Sequence, residues 1–184
     1  PIYRSDEQAA EVIGAARNLT KDWDPLFAHI DDRDQYKPGF KFNEWELKGI
    51  PLRIELGPRD CENREVVVAR RDTGVKQTLP WDGLRENLEK LLVEIQQNLF
   101  TQAKDRMQAG THTCDSYADY KANVTNGGFY RVFLDHNDPA VEDKLQEETK
   151  STVRCIPFDA PEEEGPCMIT GRPCKGRVIA AQAY

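Results

Sequence analysis

Residues 51–80 read "PLRIELGPRDCENREVVVARRDTGVKQTLP", and this stretch predicts the core of the fold. At its start, the apolar residues Leu52, Ile54 and Leu56 alternate with Arg53 and Glu55. Successive side chains of a β-strand point to opposite faces, so this two-residue period predicts a strand with one buried face. The same period directs Arg53 and Glu55 to one common face, opposite the apolar side chains.

A β-hairpin is predicted directly after this strand. Residues 66–68 are three consecutive valines, and β-branched residues favour strands. Asp72-Thr73-Gly74 is typical of a hairpin turn. The run at residues 75–79 is therefore expected to pair back in the antiparallel direction.

Helices are predicted on both sides of these strands. Ser5 followed by Gln8 is a capping-box signature, and an apolar stripe at helical spacing follows it. A second stripe runs through the leucines after Gly83. The expected elements are helices at residues 6–20, 40–47 and 84–107, with a short strand from Leu26 to Ile30. This pattern indicates an α/β domain.

The remaining residues predict shorter elements after a break at residues 109–113. We expect helices near residues 116–119 and at 142–149, and strands at residues 129–134, 152–157 and 177–181. Mixed short helices and strands are typical of an α+β domain. The predicted domains are therefore an α/β domain at residues 1–108 and a small α+β domain at residues 109–184.

Composition excludes several classes of protein. The 184 residues are 39% hydrophobic and 31% charged, which is ordinary for a globular chain. An apolar run of about 18 residues, the length of a membrane span, does not occur. Five cysteines, an odd number and widely spaced, do not suit a secreted disulfide scaffold, so reduced thiols are expected. The first residue is Pro1, so we expect a piece of a longer cytosolic chain.

Charge is unevenly distributed. The net charge of −7 argues against a nucleic-acid partner, because phosphate binding needs dense Lys and Arg. Between Lys48 and Lys76, however, seven basic residues outnumber five acidic ones, so this segment is positive within an acidic chain. Two readings stay open, a nucleic-acid surface or two solvated faces of opposite sign.

Motifs for hydrolysis or nucleotide binding are not found. His29, His112 and His136 are far apart, and no nucleophile elbow accompanies them. Neither a G-x-x-x-x-G-K-S/T loop nor a G-x-G-x-x-G turn occurs. The sequence alone therefore names no catalytic residue.

Longer stretches carry a resemblance to a known family. These are "DDRDQYKPGFKFNEWELKGIPLRIELGPRD" at residues 31–60, "RRDTG" at 70–74, "EETKSTVRCIPF" at 147–158 and a terminal Tyr184. In this order they resemble the C-terminal part of prolyl-tRNA synthetases of the archaeal and eukaryotic type. The resemblance implies an anticodon-binding domain with a mixed five-stranded sheet flanked by helices, followed by an α+β domain. In the family an apolar strand runs into the segment that opens this chain, so we expect a truncated first strand.

The resemblance also implies a tRNA partner and a set of contact residues. Proline codons begin with two cytosines, so the tRNA for proline shows two guanines at the last two anticodon positions. A guanine offers N1–H and N2–H donors beside an O6 acceptor, so its reader needs a carboxylate beside a cation. The positions that match the family's anticodon contacts are Glu46, Arg53, Arg59, Asp60 and Lys76.

Alternative roles stay open for these residues and for the nearby aromatic ones. Alternating Arg and Glu on a strand commonly pair across strands, so the charged set could be a salt-bridge ladder. Phe40, Phe42 and Trp45 could stack on bases. Such a trio more often lies in a core, and we expect at least two of the three there.

For the full-length family member, the resemblance implies a class II proline–tRNA ligase that uses ATP and Mg²⁺, acts in the cytoplasm and forms a homodimer. This chain lacks the family's catalytic half, so we expect it to be inactive alone. Tyr184 is a candidate organiser of that absent active site, or simply an aromatic residue that closes the last strand. Two alternative functions are a regulatory tRNA-binding paralogue and a protein-interaction module.

The family often carries zinc in its C-terminal domain, and the positions that match its ligands are degenerate here. They are His136, Val141, Cys167 and Thr170, and the last two lie in "EEGPCMITGRPC" at residues 163–174. Val141 cannot bind a metal and threonine rarely does, whereas a structural zinc needs a closed tetrahedral shell. Zinc is therefore not expected, unless Cys174 loops back to replace a ligand.

Overall fold

The computed structural model describes residues 1–24 and 27–182. It divides into two compact units, Pro1–Thr101 and Gln102–Tyr184. The domain boundary at residues 108 and 109 stays a prediction. Among the described residues, no helix is both long enough and apolar enough to cross a membrane.

The first unit contains the elements predicted around residues 51–80. An additional short helix lies between the first two strands, because Pro58 occupies a first-turn position and Asp60 caps the helix. The elements are α1 (Asp6–Leu19), α2 (Pro38–Leu47), β1 (Leu52–Glu55), α3 (Pro58–Asn63), β2 (Glu65–Arg70), β3 (Lys76–Pro80) and α4 (Leu84–Ala109), whose last residues belong to the second unit.

The sheet of the first unit buries one face and leaves the other accessible. Its strands are antiparallel in the order β1-β2-β3. Val66 and Val68 are fully buried in a cluster with Val12 of α1 and with Leu84 and Leu88 of α4. The alternation of β1 places Arg53 and Glu55 on the face away from this core.

The prediction of a mixed five-stranded sheet is wrong for the described residues, which form three antiparallel strands. Residues 27–30 are not a strand, because the amides of Phe27 and Ala28 both donate to Asp24 O and turn the chain. Leu26, where this strand was expected to begin, lies outside the described residues. Near the start of the chain, Ile2 N donates to Leu56 O at 2.8 Å, but residues 1–3 form no strand.

The second unit is an α+β arrangement around a four-stranded mixed sheet, as far as the chain is described. Its elements are β4 (Thr111–Thr113), α5 (Tyr117–Asn123), β5 (Phe129–Val132), α6 (Pro139–Thr149), β6 (Ser151–Cys155), β7 (Glu164–Pro166), β8 (Pro173–Lys175) and β9 (Val178–Gln182). The strand order of the four-stranded sheet is β4-β5-β9-β6, in which β4 and β5 are parallel and the other pairs are antiparallel. Sequence analysis did not predict β4, β7 and β8, because each has only three residues.

Candidate nucleic-acid interface

The accessible face of the first sheet brings together three of the five predicted contact residues. Arg53 of β1 lies opposite Ala69 of β2, and Ala69 lies opposite Lys76 of β3. This register places the two cations on one row across the sheet. Glu46 reaches the same row from the C-terminal half of α2.

An ion-pair network joins these side chains. Arg53 Nη1 lies 2.5 Å from Glu46 Oε1, and Arg53 Nε lies 3.1 Å from Glu55 Oε1. Lys76 Nζ lies 2.8 Å from the same Glu55 oxygen. The guanidinium also covers the ring of Phe42, with 4.0 Å between Cζ and the ring centroid. Without RNA, these contacts have the geometry of a salt-bridge ladder.

The network leaves hydrogen-bonding capacity for a ligand. Within the described residues, Arg53 Nη2 donates to no partner and Glu46 Oε2 accepts from none. Glu46 and Lys76 are exposed, whereas Glu55 is buried and holds both cations. A nucleobase edge could therefore meet one carboxylate oxygen and one guanidinium nitrogen before any existing ion pair opens.

The other two predicted residues lie apart from this network, on α3. Asp60 Oδ2 accepts a hydrogen bond from Gly57 N at 2.7 Å, so this carboxylate caps the helix. Arg59 is exposed and makes no ion pair or hydrogen bond through its side chain with the described residues. Asp60 therefore already has a structural role, whereas Arg59 is uncommitted.

Sequence reasoning left two residues out of the site. Glu55 is the carboxylate that bridges Arg53 and Lys76, and its alternation with Arg53 was the signal that could have included it. Arg71 borders a pocket of about 90 Å³ beside the network, and its exposed guanidinium has no partner in the described part of the chain. The pocket is lined by Glu46, Ile50, Pro51, Arg53, Ala69, Arg70, Arg71 and Gly74.

A second cluster of charges fixes α2 against the loop before it. Arg33 donates to both oxygens of Asp31 at 2.8 Å, and Trp45 Nε1 donates to Asp31 Oδ2 at 2.7 Å. The hydrogen bonds from Arg33 above all, with Trp45 adding to them, hold the pKa of Asp31 well below its usual range. Lys41 Nζ donates to the backbone oxygen of Asp31 at 3.1 Å. The carboxylate therefore anchors the helix that carries Glu46.

The four positions that match the family's zinc ligands do not form a metal site. Val141 is buried in the second core beside Leu145, and Thr170 is exposed. His136 Nδ1 lies 3.4 Å from the oxygen of Leu134, and the buried Cys167 Sγ accepts from Asp135 N at 3.4 Å. No group of three or more potential metal-ligating side chains is found in residues 1–24 and 27–182. A tetrahedral zinc does not fit these residues.

An arginine connects the two loops that would flank such a zinc. Arg172 Nη1, from the loop between β7 and β8, lies 2.9 Å from Asp138 Oδ2 and 3.3 Å from Asp135 Oδ2. Met168 N also donates to Phe133 O at 2.8 Å. The connection between these loops is therefore ionic and hydrogen-bonded. Cys174 is buried beside Cys167, and both are free thiols.

Protein purified without a chelator is expected to contain well below one zinc per chain, because Val141 cannot serve as a ligand and Thr170 is a residue type that rarely does. Elemental analysis measures this directly. Removal of a structural zinc would lower the thermal unfolding midpoint, because binding of such a zinc is coupled to folding. Since no zinc is expected here, addition of a chelator should leave the midpoint unchanged. A stoichiometric zinc signal would show that Cys174 or another donor completes the site.

Tyr184, the candidate organiser of the active site, lies outside the described residues.

The accessible face of the first sheet places a carboxylate beside cations, which is the combination that a reader of guanine needs. Comparison with known proteins identifies the class of domain. Residues 5–91 match the family model described as "Anticodon binding domain". Residues 117–184 match the model described as "Prolyl-tRNA synthetase, C-terminal".

Curated relatives match the whole chain. A "Proline--tRNA ligase" of Porphyromonas gingivalis is 41% identical over 186 residues, covering 100% of this chain and 38% of the relative. Proteins of the same name from Cytophaga hutchinsonii and Chloroflexus aurantiacus are 43% and 44% identical, again over the whole chain. The chain belongs to the prolyl-tRNA synthetase family and comprises its anticodon-binding and C-terminal regions. It spans 38 to 39% of the length of these relatives.

Proposed function

We propose that this chain is the tRNA-binding portion of a proline–tRNA ligase and that it reads the two anticodon guanines of the tRNA for proline. The aminoacylation chemistry, with its ATP and Mg²⁺, belongs to the part of the relatives that this chain does not span. The same part is proposed to form the homodimer. Because the relatives are translation enzymes by name, we place the protein in the cytoplasm.

The observation that carries this proposal is the pairing of unused acceptor and donor groups on one accessible face. Glu46 Oε2 can accept a hydrogen bond from the N1–H and N2–H donors of guanine. Arg53 Nη2 and Lys76 can donate to O6, and the uncommitted Arg59 can donate to O6 or to the RNA backbone. Asp60 keeps one oxygen, Oδ1, that is not used in capping α3. Unstacked anticodon bases expose the edge that these groups would contact.

The proposal is tested by filter binding of the chain to the tRNA for proline at fixed salt concentration. Replacing either anticodon guanine with adenine should weaken binding by about 1 to 3 kcal/mol, because the donors and acceptors are then mismatched. A tRNA for another amino acid serves as the reference for non-specific binding. Equal affinity for all these RNAs would reject anticodon reading.

Glu46→Gln should reduce the preference for guanine over adenine at one anticodon position, by about 1 to 2 kcal/mol, because an amide offers only one acceptor oxygen and no charge. Inosine, which lacks the N2 amino group, should show whether N2–H is read. The control is Glu89→Gln, since Glu89 is 51% exposed against 48% for Glu46 and also pairs with an arginine, but on α4. If both variants retain the same base preference, Glu46 does not read the guanine.

A further inference from the structure

Two aromatic residues near the proposed interface already have their rings occupied. Arg53 covers Phe42, as described above. Trp45 has the His29 ring at 4.9 Å between centroids and Lys48 Nζ at 4.3 Å from its own centroid. A base that stacked on the contacted side of either ring would have to displace these neighbours.

Tyr36 and Phe40 form a different arrangement at the N-terminal end of α2. Their rings are stacked, with centroids 4.6 Å apart and planes inclined by 17°. Arg33 Cζ lies 4.8 Å from the centroid of Tyr36, so a cation, a phenol and a phenyl ring are stacked together. Phe40 is 53% exposed, and no other ring or cation of the described residues covers it. We call Tyr36 and Phe40 the aromatic stack.

The aromatic stack is held in place before any ligand binds. Arg33 is fixed by its two hydrogen bonds to Asp31 and by a third, of 2.6 Å, to Glu44 Oε2. Phe40 lies in the first turn of α2, where its amide donates to Lys37 O at 3.0 Å. A ligand on Phe40 would therefore lose little affinity to the ordering of side chains.

We propose that the aromatic stack receives one unpaired nucleobase of the bound RNA, next to the anticodon guanines. Every base has a π-face, so stacking on Phe40 extends the stack without regard to base identity. The adjacent Arg33 adds a positive charge that suits an anionic RNA. This inference rests on the proposed function, because it takes the RNA to be the tRNA whose guanines meet Glu46 and Arg53.

Helix geometry separates this base from the guanine at Glu46. Phe40 and Glu46 are six residues apart on α2, which is about 9 Å along the helix axis. At about 100° per residue, the two side chains also leave the helix about 120° apart. One base cannot contact both residues, so the stacked base differs from the guanine at Glu46, and the proposal places it beside the guanines in the same loop.

The test places the fluorescent base 2-aminopurine at single positions flanking the guanines in the tRNA for proline. With wild-type protein, one position should show a stacking-dependent change in fluorescence on binding. Phe40→Ala and Phe40→Leu should abolish that change and weaken binding about fivefold to tenfold, the lower part of the range for base stacking. Phe40→Trp, which keeps an aromatic ring at this position, should retain both the fluorescence change and the affinity of the wild-type protein. The dependence of affinity on salt should not change, because a phenyl ring neutralises no phosphate.

The matched control is Phe100→Ala, since Phe100 is 57% exposed and lies on α4. It should leave RNA binding and fluorescence unchanged. If the wild-type protein discriminates the guanines but Phe40→Ala binds as tightly as wild type, the stacking inference fails and the proposed function stands. If the wild-type protein does not discriminate the guanines, the proposed function fails and this inference fails with it.

Discussion

Asp72→Ala is expected to lower the free energy of unfolding of the first unit by about 3 kcal/mol, because it removes one partner of a buried ion pair. The Asp72 side chain is only 1% exposed. It accepts from Arg70 Nη2 at 2.9 Å and from Asn98 Nδ2 at 2.6 Å, so it ties the β2–β3 turn to α4. In the variant, the guanidinium of Arg70 and the side-chain amide of Asn98 each lose the acceptor that Asp72 provided.

Tryptophan fluorescence can follow this unfolding selectively, because Trp23, Trp45 and Trp81 are the three tryptophans of the chain and all lie within Pro1–Thr101. Asp82→Ala is the control, since Asp82 is 94% exposed and its Oδ1 lies 3.6 Å from Arg64 Nη2 in an ion pair at the surface. We expect it to change stability by less than about 0.5 kcal/mol. Similar losses for both variants would show that the buried contacts of Asp72 do not stabilise this unit.

The effect of Asp72 should depend on pH in a definite direction. The hydrogen bonds from Arg70 above all, with Asn98 adding to them, lower the pKa of Asp72 to about 2 from an ordinary value of 3.8. Because the folded state favours the ionised form, the stabilisation is fully present above the ordinary pKa and is lost as the pH falls toward 2. The difference in unfolding free energy between wild type and Asp72→Ala should therefore shrink between about pH 5 and pH 2.

Arg53→Ala should weaken binding of the tRNA for proline and reduce discrimination at one anticodon guanine by about 1 to 3 kcal/mol, the range for a bidentate contact. Arg53 is the centre of the network, because it contacts Glu46, Glu55 and the ring of Phe42. Arg53→Lys keeps the charge but loses the planar fork, so it should recover affinity more than base discrimination. Filter binding with each guanine replaced separates these two effects.

Arg85→Ala is the matched control for Arg53, since Arg85 pairs with Glu89 on α4 in the same unit. It should leave affinity and guanine discrimination unchanged. If Arg53 served only in a salt-bridge ladder, Arg53→Ala would have the opposite effect: it would lower the stability of the first unit and leave RNA binding unchanged. Measuring unfolding and binding on the same variant therefore decides between the two roles.

Local sequence patterns determined most elements of the first unit. The alternation at residues 52–56 predicted β1, and the three valines with Asp72-Thr73-Gly74 predicted the β2–β3 hairpin. These predictions succeeded because strand period and turn chemistry depend on neighbouring residues. The three-residue strands of the second unit are too short to show such a period, and they form only because another strand pairs with them, β4 with β5 and β7 with β8.

The sequence also determined the family, since whole stretches match in order, and it selected a charged set that includes Glu46, Arg53 and Lys76. Only the tertiary structure decided that Glu55 joins the last two and that Asp60 caps a helix instead of joining the network. It likewise decided which aromatic ring stays exposed. The physical reason is that an ion pair or a ring stack depends on distances of a few ångströms between groups that can lie far apart in the chain, such as Glu55 and Lys76, which are 21 positions apart. No local period encodes those distances.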